Sequence, residues 1–404
     1  MRATLMLAKT LMGAGLFSQS AQSEPSNLAK ILSEPIQIER NAPVSEISFQ
    51  VQSGKIYVPA KINDFAGDFV FDTGSPTILD QSLADQLNLE IIGENSGHDA
   101  NGNIVTMKIA LVDSIMLGET RFKNVPVMVH DYSKVPLGKC YLPNGLIGSE
   151  LLPGSAWEVD VPNAKLKIAS SADELPFREA TYSAPLHVFN YPFAPIVDYS
   201  IGRFSDKALF DTGNASAVAL FAEIENDKQA RKQIDRQSIK RGSGRHGTSA
   251  GGIGDTLPLK RFDLKTVKIG DNNLGRTSAN SRPIPPTLIG AGLLRTHVVT
   301  LDYPKRRFLM AQSEEAGPPT LNAGFALMVN GEQVEVSQLF ETSKAKQAGL
   351  NLGDKIIAID GLALSVSTEA ERCDTSIWLS NEFDAAAAQV LTVQRGDELK
   401  EVKL

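Results

Sequence analysis

The sequence predicts a mainly β protein made of two similar β lobes in tandem, followed by a smaller C-terminal unit. The triplet Asp-Thr-Gly occurs twice behind an apolar strand, beginning at Asp72 and at Asp211. A Leu-Ile-Gly segment follows each triplet at nearly the same spacing and ends at Gly148 and at Gly290. Two different motifs that repeat in the same order indicate a duplicated structural unit. A Pro-rich stretch near residue 317 then separates the last unit.

Size and composition fit a globular protein of several domains. At 404 residues the chain exceeds what one hydrophobic core usually supports. Hydrophobic residues make up 42% and charged residues 22%, and the net charge of −7 argues against a nucleic-acid partner. The basic run at residues 231–245 alternates with polar and acidic residues, which is typical of a solvated helix face.

The N-terminus has the pattern of a signal peptide over residues 1–23. Residues 3–17 are mostly apolar, although Lys9 interrupts them, and Ala21 and Ser23 are small, as a cleavage site requires. The alternative is a disordered or amphipathic tail. We expect an exported protein, periplasmic or secreted. No other run approaches the roughly 20 apolar residues of a membrane span, so we expect no integral membrane segment in the mature chain.

The cysteines and histidines do not predict a metal site or a cofactor. Cys140 and Cys373 lie in different predicted domains, and neither has a second Cys or His at ligand spacing. An interdomain disulfide between them is possible, but two isolated cysteines do not favour one. The five histidines are scattered along the chain.

Alternating apolar residues and turn signals give the domain boundaries. Residues 24–45 are expected to be a linker or an edge strand, 46–175 the first lobe, 176–314 the second lobe and 315–404 the last unit. A short helix is expected at 82–87 and a longer one at 219–241. Residues 242–254 are Gly-rich and contain a G-x-G-x-x-G match, but no βαβ pattern surrounds it, so we interpret them as a mobile loop.

Asp72 and Asp211 are the candidate catalytic residues. A duplicated unit that carries one Asp in each copy brings two carboxylates to one pseudo-two-fold axis. Carboxylates about 3 Å apart share one proton, as in the aspartic proteases that serve as the reference case for such coupling. The ionised member takes a proton from water, and the protonated member polarises the scissile carbonyl. Neither a metal nor a cofactor is needed.

The neighbouring residues suit two tight loops that expose a carboxylate. The residues expected to support these loops are Thr73, Gly74, Ser75, Thr212, Gly213 and Asn214. The glycines permit a tight turn, and the threonine hydroxyls are small donors that can brace one loop against the other. Ser75 can donate to a carboxylate oxygen. For one copy alone, an Asx-type turn without catalytic role is the competing interpretation.

With these motifs the chain resembles the bacterial two-lobed, pepsin/retropepsin-type aspartyl proteases over residues 46–314. The resemblance implies that Asp72 and Asp211 form the catalytic dyad and that the Leu-Ile-Gly segments lie beneath the active-site loops. Two departures stand out. Asn214 replaces the usual Ser or Thr, and no flap tyrosine is identifiable. The first-lobe flap is expected near residues 96–105, with 242–254 as its second-lobe counterpart.

The C-terminal unit resembles a PDZ domain, an α+β fold. The segment from Gly353 to Gly361 matches the family's Gly-Asp-x-Ile-x-x-Ile-x-Gly pattern. The loop that binds a peptide carboxylate would be Asn322, Ala323, Gly324 and Phe325. Such a domain binds an extended peptide at an open sheet edge, which makes a C-terminal peptide ligand possible. The alternative is a packing or regulatory lid without affinity for peptides.

Together these observations predict an aspartic endopeptidase that hydrolyses peptide bonds in extended polypeptides and carries a PDZ unit for peptide capture or regulation. The alternative is a non-catalytic peptide-binding protein with a protease-like fold, in which the PDZ unit binds the ligand. Asn214 and the absent flap tyrosine favour this alternative, whereas retention of both aspartates opposes it.

Overall fold

The computed structural model describes residues 25–176, 178, 181–189, 191–313 and 324–404, and its architecture is mainly β as predicted. The expected signal peptide at 1–23 lies outside the described residues. Alternation explains the strands: in one of them Ile56, Val58, Ala60 and Ile62 are buried while the residues between them are not. Among the described residues, the longest helix has 13 residues, and none has the length and apolarity to span a bilayer.

The first lobe is a closed β-barrel. Its helices are α1 Pro25–Ser33, α2 Gln81–Gln86 and α3 Gly138–Tyr141, and its strands are β1 Gln37–Arg40, β2 Val44–Ser48, β3 Gln50–Gln52, β4 Lys55–Ile62, β5 Phe65–Phe71, β6 Ile78–Asp80, β7 Ile91–His98, β8 Ile104–Leu117, β9 Thr120–His130, β10 Gly145–Ile147, β11 Ala156–Asp160 and β12 Lys165–Ala169. The ring runs β4–β5–β10–β6–β9–β8 and returns to β4. In this ring β10 is parallel to β5, and β6 is parallel to β9.

The second lobe repeats this topology strand for strand. It contains α4 Lys228–Gln233 and the strands β13 Tyr182–Val188, β14 Pro195–Ile201, β15 Phe204–Asp211, β16 Val218–Phe221, β17 Lys240–Arg245, β18 Thr248–Ser249, β19 Gly252–Ile253, β20 Thr256–Ile269, β21 Asn272–Arg282, β22 Thr287–Gly290, β23 His297–Asp302 and β24 Arg307–Gln312. Its ring runs β14–β15–β22–β16–β21–β20 and returns to β14, with parallel pairs at β15–β22 and β16–β21. The duplication inferred from two motifs therefore extends to the strand order.

A shared antiparallel sheet joins the two barrels, in the order β2–β12–β11–β23–β24–β13. At its centre β11 of the first lobe pairs with β23 of the second, with Trp157 opposite Leu301. Trp157 is fully buried and stacks on both Phe71 and Phe122, with ring centroids 5.7 Å apart in each case. One hydrophobic core runs through both lobes, so their relative position is fixed by buried apolar contacts.

The C-terminal module, residues 324–404, has its own hydrophobic core. It contains α5 Lys344–Gln347, α6 Glu369–Asn381 and the strands β25 Phe325–Asn330, β26 Gln333–Phe340, β27 Lys355–Ile359, β28 Leu362–Ala363, β29 Val390–Arg395 and β30 Glu398–Lys403. These strands pair antiparallel in the order β25–β26–β27–β29–β30. The fold is compatible with the expected PDZ-like unit.

Residues 219–241 do not form the long helix that the apolar stripe predicted. They contain the end of β16, the short helix α4 and two single turns, and then enter β17. The Asp227 carboxylate caps α4 by accepting hydrogen bonds from Gln229 N and Ala230 N. Ile234 is extended and bridges to Leu264 of β20. Tertiary strand pairing therefore overrides the local helical pattern here.

Residues 242–254 are not a free loop either. Gly242 and Gly244 belong to β17, which pairs with β20 and, through its other edge, with β26 of the C-terminal module. A Cβ at Gly244 would lie 2.3 Å from the Ser337 carbonyl oxygen, so only glycine permits this approach. The residues that matched G-x-G-x-x-G are used for strand packing between domains.

Residues 24–45 contain more structure than a linker. Helix α1 covers Pro25–Ser33, and β1 pairs antiparallel with β9 at the edge of the first barrel. The expected edge strand is therefore present, and the helix was missed. Strand β2 begins at Val44 and enters the shared sheet.

A disulfide between Cys140 and Cys373 joins the first lobe to the C-terminal module, which corrects the expectation from the sequence. Their Cα atoms are 5.3 Å apart, and the bond links α3 to α6 across 233 residues of sequence. Nearby, the Tyr141 hydroxyl forms hydrogen bonds with Ser376 and Ser380 of α6. Folding brings together two cysteines that are isolated in the sequence.

Candidate active site

Each candidate aspartate lies at the carboxyl end of a barrel strand, above a Leu-Ile-Gly segment. Asp72 follows β5, and its backbone N–H donates to Ile147 O at 2.9 Å. Asp211 ends β15, where it pairs with Gly290 of the parallel strand β22. A Cβ at Gly148 would lie 2.1 Å from the Pro76 carbonyl carbon, and one at Gly290 would lie 2.4 Å from Asn214 O. The loops therefore rest directly on these two glycines.

The structure brings the carboxylates of Asp72 and Asp211 together on the pseudo-two-fold axis. Asp72 Oδ1 accepts a hydrogen bond from Gly74 N, and Asp211 Oδ1 accepts one from Gly213 N, both at 2.9 Å. A Cβ at Gly74 would lie 2.6 Å from Asp211 Cγ, and a Cβ at Gly213 would lie 2.3 Å from Asp72 Oδ2. Each carboxylate thus packs against the glycine of the opposite loop, where no larger residue fits.

Thr73 and Thr212 brace the two loops reciprocally. Thr73 N donates to Thr212 Oγ1 at 3.0 Å, and Thr212 N donates to Thr73 Oγ1 at 3.1 Å. Each hydroxyl then donates to the opposite strand at 2.7 Å, Thr73 to Phe210 O and Thr212 to Phe71 O. Both side chains are fully buried, so these four hydrogen bonds are shielded from water.

Ser75 and Asn214 support the loops in another way than expected. The Ser75 hydroxyl donates to Pro76 O at 3.0 Å rather than to a carboxylate, and Asn214 Oδ1 accepts from Ser216 N at 2.9 Å. Their carbonyl oxygens hold the underlying segments: Ser75 O accepts from Ser149 N, and Asn214 O accepts from Ala291 N. The difference between Ser and Asn therefore alters the turns and not the direct partners of the carboxylates.

The electrostatics of the pair favour a shared proton. Burial, followed by the nearby charge of Asp72, raises the pKa of Asp211 to about 7, although the ammonium of Lys55 acts in the opposite direction. Lys55 Nζ donates to the Gly213 carbonyl oxygen within the second loop. A second cation, the guanidinium of Arg282, interacts electrostatically with Asp211. Burial lowers the pKa of Arg282, although the charge of Asp211 acts in the opposite direction. Below about pH 7 the pair retains one proton, and both aspartates are only partly buried.

Two hairpins, one from each lobe, meet at their tips. The expected flap at 96–105 is the β7–β8 hairpin, and the β18–β19 hairpin lies within the expected counterpart at 242–254. Their tips are hydrogen-bonded: Asp99 accepts from Ser249 Oγ at 2.6 Å and from Gly251 N at 2.9 Å. The Asn101 side chain donates to Ser249 Oγ at 2.9 Å. The hairpins form a latch between the lobes.

The expected carboxylate-binding loop of the C-terminal module is only partly described. Asn322 and Ala323 lie outside the described residues. Gly324 has a left-handed φ of +80° and packs against Ser343, where a Cβ would lie 2.4 Å from Ser343 Cβ. Phe325 begins β25 and is buried in the core of the module.

The sequence motifs do not identify Lys55, Arg282 or Glu150 as residues of the site. Lys55 and Arg282 come from strands distant in sequence, and no local pattern connects them with an aspartate. Glu150 was within reach, because it directly follows the Gly148-Ser149 segment beneath the first loop. No group of three or more potential metal ligands occurs in the described parts of the chain.

Comparison with known proteins found a family match within the first lobe. Residues 58–151 match a family model described as aspartyl protease. The matched segment contains Asp72 and Gly148 and covers the barrel strands from β4 to β10. A search of curated proteins found no matching relative. The match ends before Asp211, so the second half of the site is supported by the repeated topology.

Proposed function

We propose that this protein is an aspartic endopeptidase that cleaves extended polypeptides, with Asp72 and Asp211 as its catalytic dyad. The observation that carries the proposal is the meeting of these two carboxylates on reciprocal loops of two barrels with the same topology. The similarity of the first barrel to aspartyl proteases supports the same reaction class.

In this mechanism a water molecule between the carboxylates attacks the scissile carbonyl. The ionised carboxylate accepts a proton from the water, and the protonated carboxylate donates a hydrogen bond to the carbonyl oxygen. The hydrogen bonds from Gly74 N and Gly213 N keep both carboxylates oriented without neutralising them. The proton then passes to the leaving amine. An extended substrate would lie beneath the latch, between the lobes.

The first test measures cleavage of a denatured protein substrate by Asp72→Asn and Asp211→Asn variants. Each change removes a titratable carboxylate while keeping its shape, so we expect activity to fall by at least about a hundredfold, the loss typical of removing a catalytic acid or base. Asp68→Asn, on the exposed face of β5, is the matched control and should retain activity. Activity should decline above about pH 7, as Asp211 loses its proton. Full activity in either dyad variant would refute the proposal.

The alternative, a non-catalytic peptide-binding protein, is favoured by the absence of a Ser hydroxyl bond to either carboxylate among the contacts described for Ser75. A pepstatin-type inhibitor separates the two proposals. A rise in melting temperature would indicate an intact dyad. Lack of a shift, together with peptide binding only by residues 315–404, would favour the alternative.

We further propose that the protein is exported and that its C-terminal module serves for peptide capture or regulation. The N-terminal pattern at residues 1–23 supports export. The Cys140–Cys373 disulfide also supports it, because such bonds persist in oxidising compartments.

A further inference from the structure

A lysine of the first lobe reaches into the active-site loop of the second. Lys55 begins β4, directly after the turn that joins it to β3. Its ammonium donates a hydrogen bond to the Gly213 carbonyl oxygen. The same turn contacts this loop again, since a Cβ at Gly54 would lie 3.4 Å from Ala215 Cβ. The hairpin therefore rests on the residues that follow Asp211.

The charge of Lys55 is not neutralised by an ion pair. Among the described residues, no carboxylate lies within salt-bridge distance of its ammonium. The charged groups that act on Asp211 are Asp72, Lys55 and Arg282, and Asp72 acts in turn on the buried Tyr132. Arg282 Nη1 is held by Ile284 O at 2.5 Å and by Pro286 O at 2.7 Å. Lys55 is the cation that is bonded to the catalytic loop itself.

The C-terminal module fixes the hairpin that carries Lys55. Ser53 N, in the same turn, donates to Asn381 Oδ1 at 2.5 Å. Asn381 is the last residue of α6, which the disulfide at Cys373 attaches to α3. A continuous set of contacts thus runs from the module through the turn to the Gly213 loop.

We propose that Lys55 is a positioning residue of the proposed protease: its ammonium orients the second active-site loop and favours ionisation of the aspartate pair. The inference depends on the proposed function, because the pair is useful to catalysis only when singly ionised. A positive charge close to two carboxylates stabilises their ionised forms. With Lys55 present, the singly charged pair therefore forms at a lower pH than it would without this positive charge.

The test compares pH–rate profiles of the wild type with Lys55→Met and Lys55→Arg. An opposite charge nearby moves a carboxyl pKa by roughly 1–3 units, so Lys55→Met should move both limbs of the kcat/KM profile upward by about one pH unit. Lys55→Arg keeps the charge and should restore the limbs to within a few tenths of a unit. Lys61→Met removes a charge from the exposed end of the same strand and should leave the profile in place. A lower rate in Lys55→Met with unmoved limbs would reduce Lys55 to a structural role and overturn the proposal.

A second measurement does not depend on turnover. Because the pKa of Asp211 is raised on folding, its contribution to stability is present at low pH and is lost as the pH rises through about 7. Lys55→Met raises that pKa further, so its melting temperature should fall more steeply than that of the wild type between about pH 4 and pH 9. Adding Asp211→Asn should remove most of the difference. Equal slopes in both proteins would contradict the role of Lys55, whereas unequal slopes without any cleavage would contradict only the proposed function.

Discussion

At the scale of single residues, Glu150 is a carboxyl group buried beneath the site, where ionisation is unfavourable. Its side chain is fully enclosed, and Oε2 accepts a hydrogen bond from Thr77 N at 2.8 Å. Oε1 has no hydrogen-bond partner among the described residues. Burial raises the pKa of Glu150 to about 7, so the carboxyl is protonated in mildly acidic solution. Ionisation above that pH places a charge in the core.

Glu150→Gln should therefore flatten the pH dependence of stability. The protonated Glu150 contributes stability at low pH that is lost as the pH rises through about 7, at a cost on the order of 1.4 kcal/mol per pKa unit. The amide stays neutral and still presents an oxygen to Thr77 N. Melting temperatures between about pH 5 and pH 9 should fall less in the variant than in the wild type. The exposed Glu90→Gln is the control, and a variant slope as steep as the wild-type slope would contradict the expectation.

The sequence predicted the residues of the two loops but not all of their contacts. Gly74 and Gly213 were identified because a repeated local motif contains them. The contact of Lys55 depends on how a first-lobe hairpin packs on the second lobe, and no local pattern encodes that packing. The expected bond from Ser75 to a carboxylate was wrong, because its hydroxyl is used within its own turn.

At the scale of elements, the latch joins the two lobes through the tips of their hairpins. Asp99 accepts hydrogen bonds from its own turn, at Asn101 N and Asn103 N, and from the opposite hairpin, at Ser249 and Gly251. These hydrogen bonds lower the pKa of Asp99, although burial acts against them. One carboxylate thus organises two hairpin tips.

Asp99→Ala should open the latch. The change removes the acceptor of these four hydrogen bonds and of a fifth from Asn103 Nδ2 at 3.3 Å. A hydrogen bond to a charged partner contributes about 1 kcal/mol or more. Backbone hydrogen exchange at residues 248–253 should become at least about tenfold faster. The control is Asp113→Ala, a loss of an exposed carboxylate on the same hairpin. Unchanged exchange at these residues would show that other contacts hold the tips together.

The elements were predictable where one periodicity dominated. Alternating apolar residues predicted strands such as β4, whose burial alternates in the same way. The helix expected at 82–87 is α2, shifted by one residue. The helix expected at 219–241 was wrong because Ile234 and its neighbours pair with strands far away in sequence. Residues 242–254 were misread as a loop because their glycines are needed for close approach of β26, a partner that the sequence does not identify.

At the scale of the whole molecule, the C-terminal module contacts both lobes. It is joined to the first lobe by the Cys140–Cys373 disulfide and to the second by the pairing of β26 with β17. The second contact is reinforced by Arg261, which lies over the Phe340 ring at 4.6 Å and donates to Gln338 at 2.8 Å. The module is thus integrated with the protease-like lobes and not a freely tethered appendage.

Removing the disulfide should lower stability. A cross-link that closes a loop of 233 residues restricts the unfolded chain, and such bonds contribute roughly 2–5 kcal/mol. Cys140→Ser/Cys373→Ser should therefore melt several degrees below the oxidised wild type. Reductant should lower the wild-type melting temperature to that of the double variant and leave the variant unchanged. A wild type insensitive to complete reduction, checked by thiol titration, would contradict this expectation.

The threonine brace determines how the two active-site loops unfold. The buried N–H of Thr73 is satisfied by a hydroxyl of the other lobe, and the same holds for Thr212. Because each loop supplies the hydrogen-bond acceptor for the other loop, neither lobe alone satisfies the buried N–H of its own active-site loop. Local melting on one side leaves buried polar groups unpaired on the other, at about 1–3 kcal/mol for each group. Loss of order at one aspartate therefore spreads to the second, and the pair is dismantled as a single cooperative unit.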